Sequence, residues 1–242
     1  LYGNITTVVN SSESGDVGIT GATTLKDDVA IDTSSSNGTI TFSSTVDGAK
    51  ILDLLSGTGK VDIVGDLGAG TALTTLDINA TGGTGTIEIN DIGTGSNAGV
   101  TGLTVLGNAN TGTLTTDGTN YKFGGGITIG PDYTMVSSPL ANSFTTTGDV
   151  SFLGNVTVDG TLTVDSGGGN ISVAGNISST GTDEVISFTD GASSSGTITL
   201  GGTVSASSIT LVGDNSIELT GNITSNTAAS AANSAAGAIT FT

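Results

Sequence analysis

Short runs of alternating polar and apolar residues recur along the whole chain. In TITF, Ile40 and Phe42 fall on one side and Thr39 and Thr41 on the other. The same alternation pairs Val61 with Ile63 in KVDI, Ile87 with Ile89 in TIEI, and Val150 with Phe152 in DVSF. It pairs Ile171 with Val173 in NISV, Ile198 with Leu200 in TITL, Ile217 with Leu219 in SIEL, and Ile239 with Phe241 in AITF. Successive residues of a strand point to opposite faces, so each run predicts a short strand with one dry and one wet side. No window sustains the i, i+3, i+4, i+7 apolar spacing of an amphipathic helix. In NTAASAANSAAG, Asn226–Gly237, alanine favours a helix while serine and asparagine favour a loop, and the loop is the stronger expectation.

The spacing of these runs predicts how they assemble. From Ile19 to Ile40 and from Ile40 to Val61 is 21 positions, and from Val61 to Ile87 is 26. From Val150 to Ile171 is 21, then 27 to Ile198, 19 to Ile217 and 22 to Ile239. A period near 20 with occasional insertions belongs to solenoids. Phrases also recur: GTITF, GTIEI, GTITL and GAITF, and GNIT, GNVT or GNIS beginning at Gly3, Gly154, Gly169, Gly175 and Gly221. An antiparallel sandwich would space its turns every 8–12 residues or so without a recurring phrase. The expected fold is therefore all-β, a single-stranded parallel β-helix. It would have about ten coils stacked ~4.8 Å apart, with Gly, Asn and Asp at the turns. Residues 1–117 and 149–242 read as two runs of coils. Between them 118–148, which holds Pro131, Pro139 and Met135, is expected to be an irregular coil and protruding loop.

Composition narrows the function. The chain has 242 residues, a net charge of −18, four lysines, and no arginine, histidine, cysteine or tryptophan. Without a cationic footprint, nucleic-acid binding and adhesion to anionic membranes are not expected. A Ser-His-Asp centre, a thiol nucleophile and a cysteine metal site are excluded by residue type. The regular apolar positions and only two prolines argue against disorder. No run of about 20 apolar residues predicts insertion into a membrane. The opening LYGNITTVVN reads as a mature start, which suits an exported protein that has lost its signal.

The stretch Asp27–Ala80, with its TITF…VDGA, GTGKVDI and TALTTLDI, resembles the β-strand repeats of very large bacterial surface proteins, the filamentous-haemagglutinin-like adhesins. Gly148–Gly221 has the same style, and together the two cover about half the chain. The resemblance implies a right-handed β-helix, export, and a role in adhesion or matrix.

Several residues are candidates for chemistry. Acidic turns could give calcium its oxygen ligands through Asp27, Asp28, Asp47, Asp62, Asp66 and Asp91; solvated acids that keep a β-rich surface soluble are the stronger reading. No other cofactor is expected. Tyr121, Tyr133 and Met135 are candidates for a loop touching a glycan or protein ligand, against a kinked coil with core aromatics. Sequons stand at Asn4, Asn10, Asn37, Asn79, Asn155, Asn170, Asn176 and Asn222, although asparagine is also an ordinary turn residue. A carbohydrate-active β-helix enzyme using paired acids and a threonine-rich ice-binding face are minor alternatives, and no catalytic residue is nominated. The first and last strands, with Gly3, Asn4, Ile5 and Thr6 at one end and Ile239, Thr240 and Phe241 at the other, read like interior strands and are expected to pair with further copies head to tail. The leading expectation is a self-associating filament subunit of the cell surface or biofilm matrix. The alternative is a segment of a large adhesin binding a host or neighbour-cell ligand.

Overall fold

Tight turns rich in glycine and strands too short to fold back as hairpins leave stacking as the way to bury each dry side. The computed structural model shows that solution. It describes residues 1–7, 15–107, 112–135, 141–181, 183–191, 196–225 and 239–242. Every paired strand in it is parallel to its neighbours, and they wind into a β-solenoid of about nine turns. Two sheets have ten strands each. A third has six and continues toward Leu1 through single bridges at Tyr121, Ile92, Leu67 and Val46 and the short strands Val46–Asp47 and Thr23–Thr24. Each turn visits the first, second and third sheets in order.

The expected alternation is what fills the interior. Ile40 and Phe42 are fully buried, and so are Val61, Ile63, Val150, Phe152, Ile171, Val173 and Ile198. Ile40 lies over Val61 and Val61 over Ile87, so the 21- and 26-residue steps are true stacking intervals. The same holds for Val150, Ile171, Ile198 and Ile217. Two steps are corrected. Ile40 stacks on Val17 and not on Ile19. Ile239 stacks on Ile209 in the third sheet and not on Ile217 in the first, because the chain reaches the third sheet again before pairing. The Ala- and Ser-rich stretch lies in 226–238, outside the described residues.

The repeated phrases do not keep to one face. TITF of Thr39–Phe42 forms the second-sheet strand Ile40–Phe42, while TITL forms the first-sheet strand Thr197–Leu200. TVDG at Thr45–Gly48 sits in the third sheet, and TVDG at Thr157–Gly160 in the second. Local geometry is conserved through the change. Gly48 and Gly160 both have positive φ, 126° and 115°, a backbone that side chains resist.

The long side of the coil moves with the phrases. Among residues 29–78 the first sheet carries four- and five-residue strands, Val29–Asp32, Ile51–Leu55 and Thr75–Ile78, and the third sheet is narrow. From 141 onward the third sheet carries five-residue strands, Ala141–Thr145, Thr161–Asp165, Val185–Thr189 and Ser208–Val212. The repeat has slipped by one face.

The slip falls between the last long first-sheet strand, ending at Ile78, and Ala141, and within 118–148 the described residues lie in the coils and not in the expected protruding loop; 136–140, with Pro139, lie outside the described residues. The strands Asn120–Lys122, Ile127–Ile129, Asp132–Met135 and Ala141–Thr145 are woven into all three sheets. Tyr121 and Tyr133 are buried in the interior, each at most 1% exposed. Tyr121 stacks on Phe144 at 4.8 Å, and Tyr133 meets Phe144 and Phe152 at 5.6 Å. Where the long side changes place the interior outline changes, and large rings fill it.

Candidate functional site

Two polar columns run along the corners that follow the long strands. In the first run, Thr33, Ser56 and Asn79 are buried at the corner between the first and second sheets. The Thr33 hydroxyl donates to the Gly38 carbonyl at 2.7 Å and that of Ser56 to Gly59 at 2.7 Å. Asn79 accepts from the Ser56 amide at 2.8 Å and donates to its hydroxyl at 3.0 Å. In the second run the same device stands at the corner between the third and first sheets. Thr146 donates to Gly148 at 2.6 Å, Ser166 to Gly169 at 2.5 Å, and buried Asp190 accepts from the Asp214 amide at 3.1 Å. The hydroxyls of Thr33, Ser56, Thr146 and Ser166 thus each satisfy a carbonyl of their own turn, while Asn79 and Asp190 accept from backbone amides of a neighbouring coil. The sequence holds a trace of this device in SGTG and SGGG, Ser56–Gly59 and Ser166–Gly169, where a serine stands three residues before the glycine whose carbonyl it bonds.

A second set of side chains faces outward and links each coil to the next. Asp132 accepts the Asn155 amide at 2.7 Å, Asn155 that of Asn176 at 3.0 Å, and Asn176 that of Thr203 at 2.9 Å. Asp149 accepts from Asn170 at 2.7 Å, and Asn170 from Thr197 at 3.0 Å. The recurring GN pair follows from this stacking. Asparagine supplies the acceptor, and the glycine before it leaves room: a side-chain carbon at Gly175 would collide with the Gly154 carbonyl.

The expected sequons are placed accordingly. Asn4 accepts from the Ala30 amide and Asn37 from Thr58, so Asn4, Asn37, Asn155, Asn170 and Asn176 all serve as coil-to-coil acceptors. Asn79, 1% exposed, is closed to modification in the folded rod, which corrects its candidacy. Asn222 is exposed, and Asn10 lies outside the described residues.

The six candidate calcium ligands are distributed over several faces, and each has a partner within the chain. Asp27 accepts from the Asp28 amide, Asp28 from Ile51, Asp47 from Gly70 and Thr71, and Asp91 from Thr119 and Asn120. Asp66 accepts from the Asn90 side chain at 3.1 Å, and Asp62 pairs with Lys60 at 3.2 Å, whose ammonium also reaches Glu88 at 2.7 Å. Among the described residues no group of three or more His, Cys, Asp or Glu side chains is placed to hold a metal ion. Asp47, Asp66 and Asp91 do come near one another: burial, then the charges of Asp91 and Asp47, raise Asp66 above the usual carboxylate range. On the first sheet Asp53 stacks on Asp77. Burial and then Asp32 raise Asp53, and burial and then Asp53 raise Asp77.

Tyr121 and Tyr133 are not contact residues but members of a buried network, a second correction to the expected partner loop. The Tyr133 hydroxyl donates to Asn142 at 2.7 Å, Asn142 donates to the Gly118 carbonyl at 2.6 Å, and the Gly118 amide donates to the Tyr121 hydroxyl at 2.8 Å. Burial raises both phenols well above their ordinary range. Met135 ends the strand Asp132–Met135, and its side chain lies outside the described residues.

Apolar exposure of the interior-facing kind concentrates at the two end coils. The dry residues of the middle coils are 0–2% exposed, whereas Ile5, Val17 and Ile19 at one end and Ile217 and Ile223 at the other are only partly covered. Leu219 is 38% and Phe241 49% exposed. Gly3 and Asn4 lead into the strand Ile5–Thr6, which edges the first sheet, and the strand Ile239–Phe241 edges the third. Exposed apolar residues elsewhere, such as Val64 and Leu103, stand singly. Among the described residues no helix is long and apolar enough to cross a membrane. Compared with known proteins, the chain matches no family model, no curated protein and no solved structure.

Proposed function

We infer that the protein is a structural rod of the cell exterior that associates end to end into a surface or biofilm-matrix filament. The observation that carries this reading is the apolar exposure of the first and last coils among the described residues. A strand at the edge of a sheet is a template for a further strand, and in these coils Ile5, Val17, Ile19, Ile217 and Ile223 are partly covered while Leu219 and Phe241 are exposed. A contact between unlike ends that does not close on itself propagates as a filament. The outward Asp and Asn ladders and the inward Thr, Ser and Asn columns serve stacking, which suits a structural role.

Charge supports regulation of the contact. Copies carrying −18 each repel, and that repulsion falls with ionic strength and with neutralisation of carboxylates. Divalent cations, calcium first, and low pH should therefore promote assembly. The second reading is a segment of a large adhesin, favoured by the resemblance of Asp27–Ala80; the same edges would then be covered by further coils and a glycan or protein ligand would be held elsewhere. Negative-stain electron microscopy in calcium and in chelator separates the two. The filament reading expects long uniform fibres, more abundant in calcium. Isolated rods about 45 Å long, nine turns at ~4.8 Å, under both conditions would overturn it.

A further inference from the structure

The sides of the rod differ in what they show to solvent. In-register stacking sets each outward residue of a strand over its counterpart in the next coil, so every side has a midline of outward residues. In the first run the midlines carry acids: Asp53 stacks on Asp77 in the first sheet, and Asp62 on Glu88 in the second. In the second run they carry hydroxyls. On the third sheet Ser143, Thr163, Ser187, Thr210 and Thr240 follow one another without a break. On the second sheet Thr134, Thr157, Ser178, Ser205 and Thr224 do the same. The third side is the broader, because its five-residue strands add a column on each flank. Thr161, Val185 and Ser208 stand on one flank, and Asp165, Thr189 and Val212 on the other. Asp165 is the one ionisable group among these, and its carboxylate is held at the corner by the Gly167 amide at 2.9 Å. Among the described residues nothing bonds to the hydroxyls of Ser143, Thr163, Ser187 and Thr210. A chain of net charge −18 thus keeps one broad side nearly neutral, with its hydroxyls open to an outside partner.

The chemistry of this side selects among partners. The absence of charge disfavours an ionic ligand. None of its outward positions carries an aromatic ring to stack on a sugar. A second copy would need more area: four strands ~17 Å long and ~4.8 Å apart cover roughly 300 Å², against about 800 Å² per partner in a stable interface. What the side does offer is a two-dimensional array. Its hydroxyls and methyls repeat at ~4.8 Å from coil to coil and ~6.6 Å along each strand, close to the intervals at which oxygens repeat across the faces of hexagonal ice. We propose that the third side of the second run binds ice. The hydroxyls of Ser143, Thr163, Ser187 and Thr210 hydrogen-bond to lattice waters, and the methyls of Thr161, Val185 and Val212 order the waters between them. The first run does not share the property, since carboxylates on its midlines gather water around their own charge. The site lies on the flank of the rod and acts with or without association of the ends.

The test grows ice slowly from a dilute solution of the purified chain and compares the protein in the ice with that left in the liquid; the coarsening of ice grains in a frozen film is a second readout. The double variant T163Y/T210Y raises two rings above the midline while keeping strand preference. T41Y makes the same change on the second-sheet midline of the first run, where Thr41 stacks on Asp62. Circular dichroism confirms that both keep the β signal. The proposal expects the original chain and T41Y to enter the ice and slow the coarsening, and T163Y/T210Y to lose both effects. Exclusion of the original chain from ice, as a simple solute is excluded, would overturn it, and so would full retention of ice binding by T163Y/T210Y. Adsorption to microcrystalline cellulose without entry into ice, lost in the double variant, would overturn it in favour of a neutral polysaccharide.

Discussion

The two runs of coils on either side of residues 118–148 are built from the same phrases but differ in which side of the rod is long. In the first, the hydroxyl column of Thr33 and Ser56 follows the first sheet; in the second, that of Thr146 and Ser166 follows the third. The lesson is that the repeat encodes a corner and not a face. A long strand, a buried Ser or Thr, a glycine turn and a short strand make a unit that serves two different corners of the rod with the same hydroxyl-to-carbonyl bond. The long side changes face while the order of sheets is kept, and at that change Tyr121, Tyr133, Phe144 and Phe152 pack together in the interior.

The comparison breaks most severely at Phe144. It touches Tyr121, Tyr133 and Phe152, and Phe144→Ala should cost about 3–5 kcal/mol through the cavity left behind. Because the loss falls at the junction, urea denaturation followed by hydrogen exchange should show the two runs unfolding in separate transitions. A single transition shifted by under 1 kcal/mol or so would mean that the rings do not join the runs.

Asn142→Leu comes next. It strands the Gly118 carbonyl in the interior and removes the acceptor shared by the Tyr133 and Thr116 hydroxyls, which keep only their mutual bond, at about 2–3 kcal/mol, read from the denaturation midpoint. The corner unit itself is tested by Ser56→Ala and Ser166→Ala, whose hydroxyls donate to Gly59 and Gly169, that of Ser56 also accepting from buried Asn79. Ser166→Ala should cost about 1 kcal/mol and Ser56→Ala about 1–2 kcal/mol more, since it also strands the Asn79 amide; equal costs would mean that the Asn79 bond adds nothing.

The smallest effect separates the runs by charge. Asp53, Asp66 and Asp77 all belong to the first run, and all are raised in the folded state by burial and neighbouring carboxylates. A raised folded value means that ionisation opposes folding. The penalty is complete above the folded values and is relieved as the pH falls through them toward about 4. The first run should therefore gain stability on acidification from neutral pH. Asp53→Asn should stabilise it at neutral pH by only about 0.2–0.5 kcal/mol, since Asp53 is exposed and solvent screens it. Thermal melts at pH 7 and near pH 4 check both; a loss of stability for the variant at pH 7 would contradict the like-charge account.

Much of the fold was legible because a strand's two-residue alternation is written directly into TITF, KVDI and NISV, and because stacking intervals near 20 residues leave the chain no hairpin to make. The slip was hidden, since identical phrases gave no sign of which sheet they enter. Gly118–Gly148 looked like a surface loop because proline, methionine and tyrosine are common in loops. The need for large rings inside a coil whose outline changes became visible only with Phe144 and Phe152 beside them. The asparagines read as sequons serve mainly as acceptors for the next coil, a role fixed by the close approach of neighbouring coils and not by the local motif. The buried hydroxyl columns were the part of the site least visible, carried in the sequence only by the S-x-x-G spacing.

The claim that the phrases change face is tested most directly at its junction. Val105 lies opposite Thr128 in the first sheet. Were the long strands to stay on one face, Val105 would instead lie opposite Ser143 of the next long strand, Ala141–Thr145. In this cysteine-free chain, V105C/T128C and V105C/S143C can be oxidised as monomers and mapped by mass spectrometry. The account predicts an intrachain disulfide in the first variant and none in the second. A disulfide between positions 105 and 143, with none between 105 and 128, would contradict it.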